Sequence, residues 1–312
     1  MALNNIVALV GGVGGAKLAH GLAQILPPER LTIVVNTGDD FWHYGLRICP
    51  DMDTVMYTLA GLVDPVNGWG VAGDTTAALE ALRRYGEDPW FRLGDRDIAL
   101  HLMRTERLRQ GERLTSFARE MAHRLGIGPA VLPMTDHEVA TIVHTRDDGP
   151  LPFQVYFVKR RWEPVVTAIE FDGAAGASVS PEVAAALEQA DAILIAPSNP
   201  WLSVAPILAV PGLRALLEAK DRPRVAITPI VGGRALKGPA AKLMAELGYA
   251  VTPESVAAYY GSVINGFVVD SRDPQSELPG LNVLRTDTIM QTDGDRARLA
   301  ADILSWLEQH RP

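Results

Sequence analysis

Apolar positions along this chain fall into short unbroken runs separated by helically spaced ones, the pattern of strands alternating with helices. The run Asn5-Ile6-Val7-Ala8-Leu9-Val10 predicts a buried parallel strand. Ala16, Leu18, Ala19, Leu22, Ala23, Ile25 and Leu26 then recur at helical spacing until Pro27-Pro28 stops the helix. A second run, Leu31-Thr32-Ile33-Val34-Val35, leads into Asn36-Thr37-Gly38-Asp39-Asp40. Between the first strand and the helix stands Gly11-Gly12-Val13-Gly14-Gly15-Ala16-Lys17. Together these predict a βαβ unit with its chemistry at the carboxyl ends of the strands. Glycines let a backbone approach a phosphate, and a helix N-terminus offers unpaired N–H groups and a positive dipole end. The expected ligand is an anion, a nucleotide diphosphate first of all. A tight turn without a ligand would use the same residues.

Further along, residues 41–50 are aromatic and irregular. Phe41, Trp42 and Tyr44 there either stack on a planar ligand or fold into the core. Asp51 or Asp53 is a natural N-cap for the apolar helix that follows. Helices are predicted over residues 74–86, 95–109 and 113–125, with Asp95 as a cap and Arg92, Arg96 and Asp97 left to surface ion pairing. Residues 140–145, 152–158 and 165–171 read as strands, an antiparallel excursion around a turn at 146–150. The α/β rhythm returns with strands over 191–196, 224–228 and 266–270, each ending in a polar or glycine-rich turn. Helices are expected over 181–190, 205–219, 238–248 and 294–309. The fold class is therefore α/β, a Rossmann-like mostly parallel sheet in one domain over 1–312. Its core comes from about 1–65 and 185–275, with a helical and antiparallel insertion over about 74–172.

Composition narrows the function. Acidic residues outnumber basic ones 37 to 29 among 312, which argues against a nucleic-acid surface but leaves room for a local basic pocket. Lys159-Arg160-Arg161 is a short basic run expected to be solvated. Cys49 is the only cysteine, so neither a disulfide framework nor a cysteine zinc cage is available. No run approaches the length of a membrane span and no secretory leader is evident, so the expected setting is the cytoplasm, away from membranes.

The glycine turn is neither of the familiar nucleotide loops. A P-loop needs Ser or Thr after its lysine, and Lys17 is followed by Leu18. A dinucleotide fingerprint needs a third glycine where Lys17 stands. Four acidic spots are candidates for a divalent metal: Asp39/Asp40, Asp51/Asp53, Asp74 and Asp95/Asp97. Magnesium suits them, since it takes one or two carboxylates plus water and ligand phosphates. The glycine turn, Ser198-Asn199, and Gly232-Gly233-Arg234 with Lys237 are three possible anion cradles on separate strand ends. No nucleophile elbow is present, so phosphoryl chemistry without a covalent intermediate fits the parts.

Seven motifs stand in order: Gly-Gly-Val-Gly-Gly-Ala-Lys at 11–17, Asn-Thr-Gly-Asp-Asp at 36–40, Arg-Ile-Cys-Pro-Asp-Met-Asp-Thr at 47–54, Leu-Gly-Asp-Arg-Asp at 93–97, Leu-Pro-Met-Thr-Asp at 132–136, Ala-Pro-Ser-Asn-Pro at 196–200 and Pro-Ile-Val-Gly-Gly at 229–233. As a set, over roughly residues 5–275, they resemble the 2-phospho-L-lactate transferase family, the CofD/FbiA enzymes of coenzyme F420 biosynthesis. The resemblance implies a magnesium-dependent transfer of a phosphoenolpyruvyl or 2-phospho-L-lactyl group. The group moves from a GDP-linked donor to a hydroxyl of the deazaflavin Fo (7,8-didemethyl-8-hydroxy-5-deazariboflavin), and GMP leaves. It implies Fo contacts at Asp53 and Arg92, with Trp42 beside them. Gly12, Val13, Gly14, Gly15, Lys17, Ser198, Asn199, Gly232 and Gly233 would hold the guanosine diphosphate portion. Asp39, Asp40 and Asp53 are the catalytic and Mg2+-ligating candidates, Asp53 orienting or deprotonating the acceptor hydroxyl. A homodimer is also implied. The motif at 47–51 sits closer to bacterial members, which favours the enolpyruvyl donor. The last ~35 residues carry no motif.

Two rival readings stay open at this level. One is a nucleotide-sugar-binding regulatory protein of the gluconeogenesis-factor type, which shares a glycine-turn α/β fold. The other is a nicotinamide dehydrogenase, with Asp39 on the ribose.

Overall fold

The computed structural model describes residues 3–235, 238–274 and 278–310. The opening unit is β1 (Ile6–Val10), α1 (Gly12–Ile25) and β2 (Leu31–Val35), with β1 and β2 paired in parallel from Ile6–Leu31 to Val10–Val35. Residues 41–48, expected to be irregular, form a hairpin of β3 (Phe41–His43) and β4 (Leu46–Ile48). Its two-residue turn places Tyr44 at φ 48° and Gly45 at φ 74°, the left-handed pair that matches strand twist. Helices α2 (Pro50–Leu59), α3 (Ala77–Arg84), α4 (Asp95–Arg109) and α5 (Leu114–Arg124) follow, then β5 (Ala130–Pro133), parallel to β2.

An antiparallel sheet comes next, β6 (Ala140–Thr145), β7 (Gly149–Pro152) and β8 (Val166–Asp172), with β6 in the middle. The strand expected over 152–158 ends at Pro152, and residues 155–159 wind into a helical turn. Strand propensity yields there because Phe153 and Tyr156 bury into a small core with Val143, Val166, Leu202 and Leu243.

The second half runs α6 (Pro181–Gln189), β9 (Ala192–Ile195), α7 (Ala205–Ala209), α8 (Leu213–Glu218) and β10 (Arg224–Ile227). The single helix expected over 205–219 is two, broken at Val210-Pro211-Gly212, where proline cannot continue the ladder. A two-residue ribbon of β11 (Ile230–Val231) and β12 (Arg234–Ala235) precedes α9 (Ala240–Glu246), α10 (Pro253–Tyr260) and β13 (Gly266–Asp270). The chain closes with β14 (Asn282–Thr286) and α11 (Asp293–Gln309). Neither α10 nor β14 was expected from the pattern.

Seven parallel strands make the main sheet in the order β14-β13-β10-β9-β1-β2-β5. The α/β expectation holds, and two of the seven strands, β5 and β14, come from outside residues 1–65 and 185–275. Helices α1, α2, α5 and α11 cover one face and α6, α7, α8 and α10 the other, each over its own apolar core. The final residues thus complete a sheet edge and lay α11 along α1, where Lys17 Nζ donates to the Met290 carbonyl at 2.7 Å. Strand order runs one way from β1 to β2 and β5, then the other way from β9 outward. The reversal between β1 and β9 opens a crevice at their carboxyl ends. Among the described residues no helix is long and apolar enough to cross a membrane.

Candidate active site

The crevice is built from two turns locked together. Ser198, after β9, accepts from the Gly11 N–H at 3.1 Å and donates back to the Gly11 carbonyl at 2.6 Å. A side chain on Gly14 or Gly15 would drive its Cβ to 2.7 Å from the Pro197 carbonyl oxygen or the Ser198 hydroxyl. These glycines are required by this close approach, and Gly12 by its φ of 65°. Helix α1 starts here on Gly11, which has no side chain to cap with; the Asp51 carboxylate accepts from the Gly12 N–H, and the positive dipole end of the helix lies at the crevice.

The tip after β2 carries the acids. Asn36 organises it: its side-chain carbonyl accepts from the Gly38 N–H at 2.8 Å, and its amide donates to Asp51 Oδ2 at 2.9 Å. Asp39, Asp40 and Asp51 are all buried. Asp39 Oδ1 and both Asp40 oxygens have no hydrogen-bond partner among the described residues. Arg47 stands 3.5 Å from Asp40, too far for a hydrogen bond. Burial raises Asp40 to about 7, with the Arg47 guanidinium and the Cys49 thiol offsetting part of the cost. Burial likewise raises Asp51 to about 6, and it lifts Asp39 well above the usual range with help from the neighbouring Asp51 charge. Arg104 also acts on Asp40 from farther off, but it is paired with Asp53; the three desolvated carboxylates stay short of positive charge, and orphaned oxygens of this kind fit a hard divalent cation.

Asp53 lies elsewhere. Pro50 takes the first position of α2 and Cys49 its cap, so neither Asp51 nor Asp53 is the N-cap. Two residues apart on a helix, the two aspartates point in different directions. Asp51 looks toward Asn36 and Gly11, while Asp53 looks toward α4. There Arg104 donates to both Asp53 oxygens, at 3.1 Å to Oδ2, and also to the Arg47 carbonyl at 3.2 Å. His101 sits 3.6 Å from Asp53 and 3.3 Å from Asp97, and Tyr57 donates to Asp97 at 2.7 Å. Asp53, Asp97 and His101 are close enough together to share an ion, but Arg104 already supplies a positive charge to both Asp53 oxygens.

The remaining acidic spots cap helices, each across a gap. Asp74 accepts from the Arg96 and Asp97 amides at the start of α4, and Asp95 from the Ala77 and Ala78 amides at the start of α3. Asp95 therefore caps α3 instead of its own helix.

Next to the acidic tip is a cavity of about 290 Å³ with Asp39, Asp40, Phe41, Trp90, Thr141 and Phe153 in its wall. Phe41 packs edge-on to Phe91 at 4.9 Å, while Trp42, also lining the cavity, is 45% exposed and donates to Glu138 at 3.2 Å. Arg92 is exposed on the loop before α4, where its charge acts on Asp64. The antiparallel sheet reaches in from the other side. The Thr141 N–H donates to the Gly38 carbonyl at 2.7 Å, and Gln154 Nε2 to the Asp39 carbonyl at 3.1 Å.

Of the sequence candidates, the structure brings together Gly12, Val13, Gly14, Gly15, Ser198, Asp39 and Asp40. Asn199 caps the turn after it, accepting from Trp201 and Leu202. Gly232 and Gly233 lie two strands away from β1, and the Gly232 N–H donates to Asp273 at 2.8 Å. Lys17 reaches Met290 on the helical face, and Lys237 lies outside the described residues. Thr141 and Gln154 join the site without having been singled out for it, and of the metal candidates Asp51/Asp53 it is Asp51 that faces the crevice. A signal was available for choosing Asp51 over Asp53: Pro50 at the first helical position fixes the helix phase.

A sequence-family model described as 2-phospho-L-lactate transferase CofD matches residues 6–308. The chain is 39% identical over 303 residues to the 2-phospho-L-lactate transferase of Methanosarcina mazei, covering 96% of this chain and 99% of that one. It is 40% identical over 315 residues to the phosphoenolpyruvate transferase of Streptomyces coelicolor, covering 98% and 99%. Among solved structures it is similar to a member of the UPF0052 family from Bacillus halodurans, at a TM-score of 0.63 and 15% identity over 97% of this chain and 99% of that one. That last likeness bears on the fold alone. From the first strand of the sheet to the last helix, then, the chain belongs to the 2-phospho-L-lactate transferase CofD family.

Proposed function

We propose that this chain transfers a three-carbon phospho-acid, 2-phospho-L-lactyl or phosphoenolpyruvyl, from a GDP-linked donor to a hydroxyl of the deazaflavin Fo, with release of GMP. Family membership and relatives carrying both transferase names support the class of reaction. The observation that carries the reading is one juxtaposition. The N-terminus of α1 and a group of under-neutralised carboxylates meet at the strand-order reversal, beside an aromatic-walled cavity.

The parts then divide the work. The α1 amides receive the donor diphosphate. Asp39 and Asp51, on either side of Asn36, are the residues that would hold Mg2+, with Asp40 next to them. Bound there, the ion would neutralise charge developing on the transferred phosphoryl oxygens. The deazaflavin ring lies in the cavity against Trp42, Trp90 and Phe153. Asp40, with two free oxygens and a carboxyl raised to about 7, takes the proton of the attacking hydroxyl. Both oxygens of Asp53 accept from Arg104, so in this reading Asp53 orients α2 and is not the group that takes the proton. The new bond forms between the acceptor oxygen and the phosphorus bearing the three-carbon acid, as the bond from that phosphorus to the GMP oxygen breaks.

The test is to incubate the protein with Fo, Mg2+ and each GDP-linked donor and identify the products by mass. GMP and an Fo adduct bearing the phospho-acid are expected. Absence of both products with either donor would refute the reading.

A further inference from the structure

We propose that Thr141 and Gln154 form a polar pair that reads the hydroxylated side chain of the acceptor beside the reacting hydroxyl; this rests on the function proposed above. Thr141 is 1% exposed, and its Oγ1 has no hydrogen-bond partner among the described residues. That hydroxyl lies over Gly38, 3.0 Å from where a Cβ would stand, and Gly38 and Thr141 both line the cavity. A buried hydroxyl left unpaired is costly, and the cost is removed when a ligand oxygen enters. Gln154 lines the same cavity with its amide plane fixed by its bond to the Asp39 carbonyl. Its remaining N–H and its carbonyl oxygen therefore have one orientation in which to meet a ligand.

Around these two groups most of the wall is aromatic or aliphatic: Phe41, Trp42, Trp90, Pro152 and Phe153. The acids and the polar pair sit together at the Gly38–Asp40 end. A ligand suited to this division has a planar ring at one end and an alcohol-bearing chain at the other. The chain's hydroxyls meet donors and acceptors next to Asp39 and Asp40, which selects a polyol over a simple alkanol. Thr141 stands on β6 of the antiparallel sheet and Gln154 on the helical turn that follows β7, so that excursion supplies acceptor specificity to a site whose phosphate side comes from the main sheet.

The experiment compares Thr141→Val with the wild type and with Thr141→Ser. Valine keeps the shape and the strand preference, and the Thr141 backbone bond to Gly38 is untouched. The acceptor KM is expected to rise about 3- to 10-fold in T141V, the loss of one hydrogen bond, and to return toward wild type in T141S. The donor KM should not move. With a deazaflavin whose pentitol chain is replaced by a hydroxypropyl chain, the T141V penalty should vanish. Gln154→Met provides an independent variant, expected to raise the same KM and to lower kcat as Asp39 loses its anchor. Unchanged acceptor KM in both T141V and Q154M, or an equal penalty on the truncated acceptor, overturns the pair. Wild-type protein that turns over no acceptor overturns the proposed function, and the pair with it.

Discussion

Asp53 and Arg104 meet through both carboxylate oxygens and two guanidinium nitrogens, out of contact with water, and that pair clamps α2 to α4. Arg104 also packs over Phe117, its carbon centre 5.5 Å from the ring. The acid that the family resemblance nominates for chemistry is thus also a structural element, and mutating it changes two things at once.

Removing one partner of a buried pair leaves an uncompensated charge, which costs about 3–5 kcal/mol, whereas replacing both by apolar residues is often near neutral. Asp53→Asn and Arg104→Leu are each expected to lower the urea midpoint strongly. The double variant D53L/R104L should recover much of the stability and none of the turnover. Full activity in that double variant would show that Asp53 has no part in the reaction.

The like-charged pair Asp39 and Asp51 is expected to respond in the opposite sense. Without metal, Asp51→Asn relieves repulsion at Asp39 and removes a buried carboxylate, so the variant should melt at or above the wild-type temperature in chelator. Millimolar Mg2+ should raise the wild-type melting temperature and leave D51N nearly unmoved. Equal stabilisation of both proteins would place the ion elsewhere.

Acidity supplies a third check. In the folded chain Asp51 sits at about 6 and Asp40 at about 7, both above the unfolded value of 3.8. Each binds its proton more tightly when folded, so its stabilising contribution is complete below about pH 4 and is lost as pH rises through 6 and 7. In chelator, the stability difference between wild type and Asp40→Asn should therefore shift against the wild type between pH 5 and 7.5. A pH-independent difference would mean that Asp40 is not held protonated by burial.

Asp74 and Asp95 exchange helix caps, and this exchange separates them from the metal. Asp74→Ala or Asp95→Ala is expected to lower the melting temperature by about 2–4 °C, the scale of one lost cap in a chain of this size. Thermal melts and a magnesium titration of activity check this together. A changed magnesium requirement in either variant would return these residues to the list of ligands.

Much of this protein is written locally. The βαβ opening follows from apolar runs and helical spacing, and the seven ordered motifs carried the family resemblance that the homologous sequences bear out. Strands β9, β10 and β13 and the helices α4 and α6 were legible for the same reason: each depends on a pattern within one segment. The hairpin at 41–48 was not, because a Tyr-Gly turn flanked by three-residue strands leaves too few positions for an alternation to register. What the tertiary structure alone decided is which acids face one another. Asp51 and Asp53 look like a pair in sequence, but the helix phase turns one to the crevice and the other to Arg104. Asp74 and Asp95 look like ligands until α3 and α4 are seen to borrow caps from one another. Thr141 and Gln154 enter the site because β6 and the helical turn after β7, a hundred residues downstream, donate to the backbone of the acidic tip. Secondary structure is a matter of neighbours along the chain, whereas a carboxylate's charge state and partner depend on what folding brings across from elsewhere.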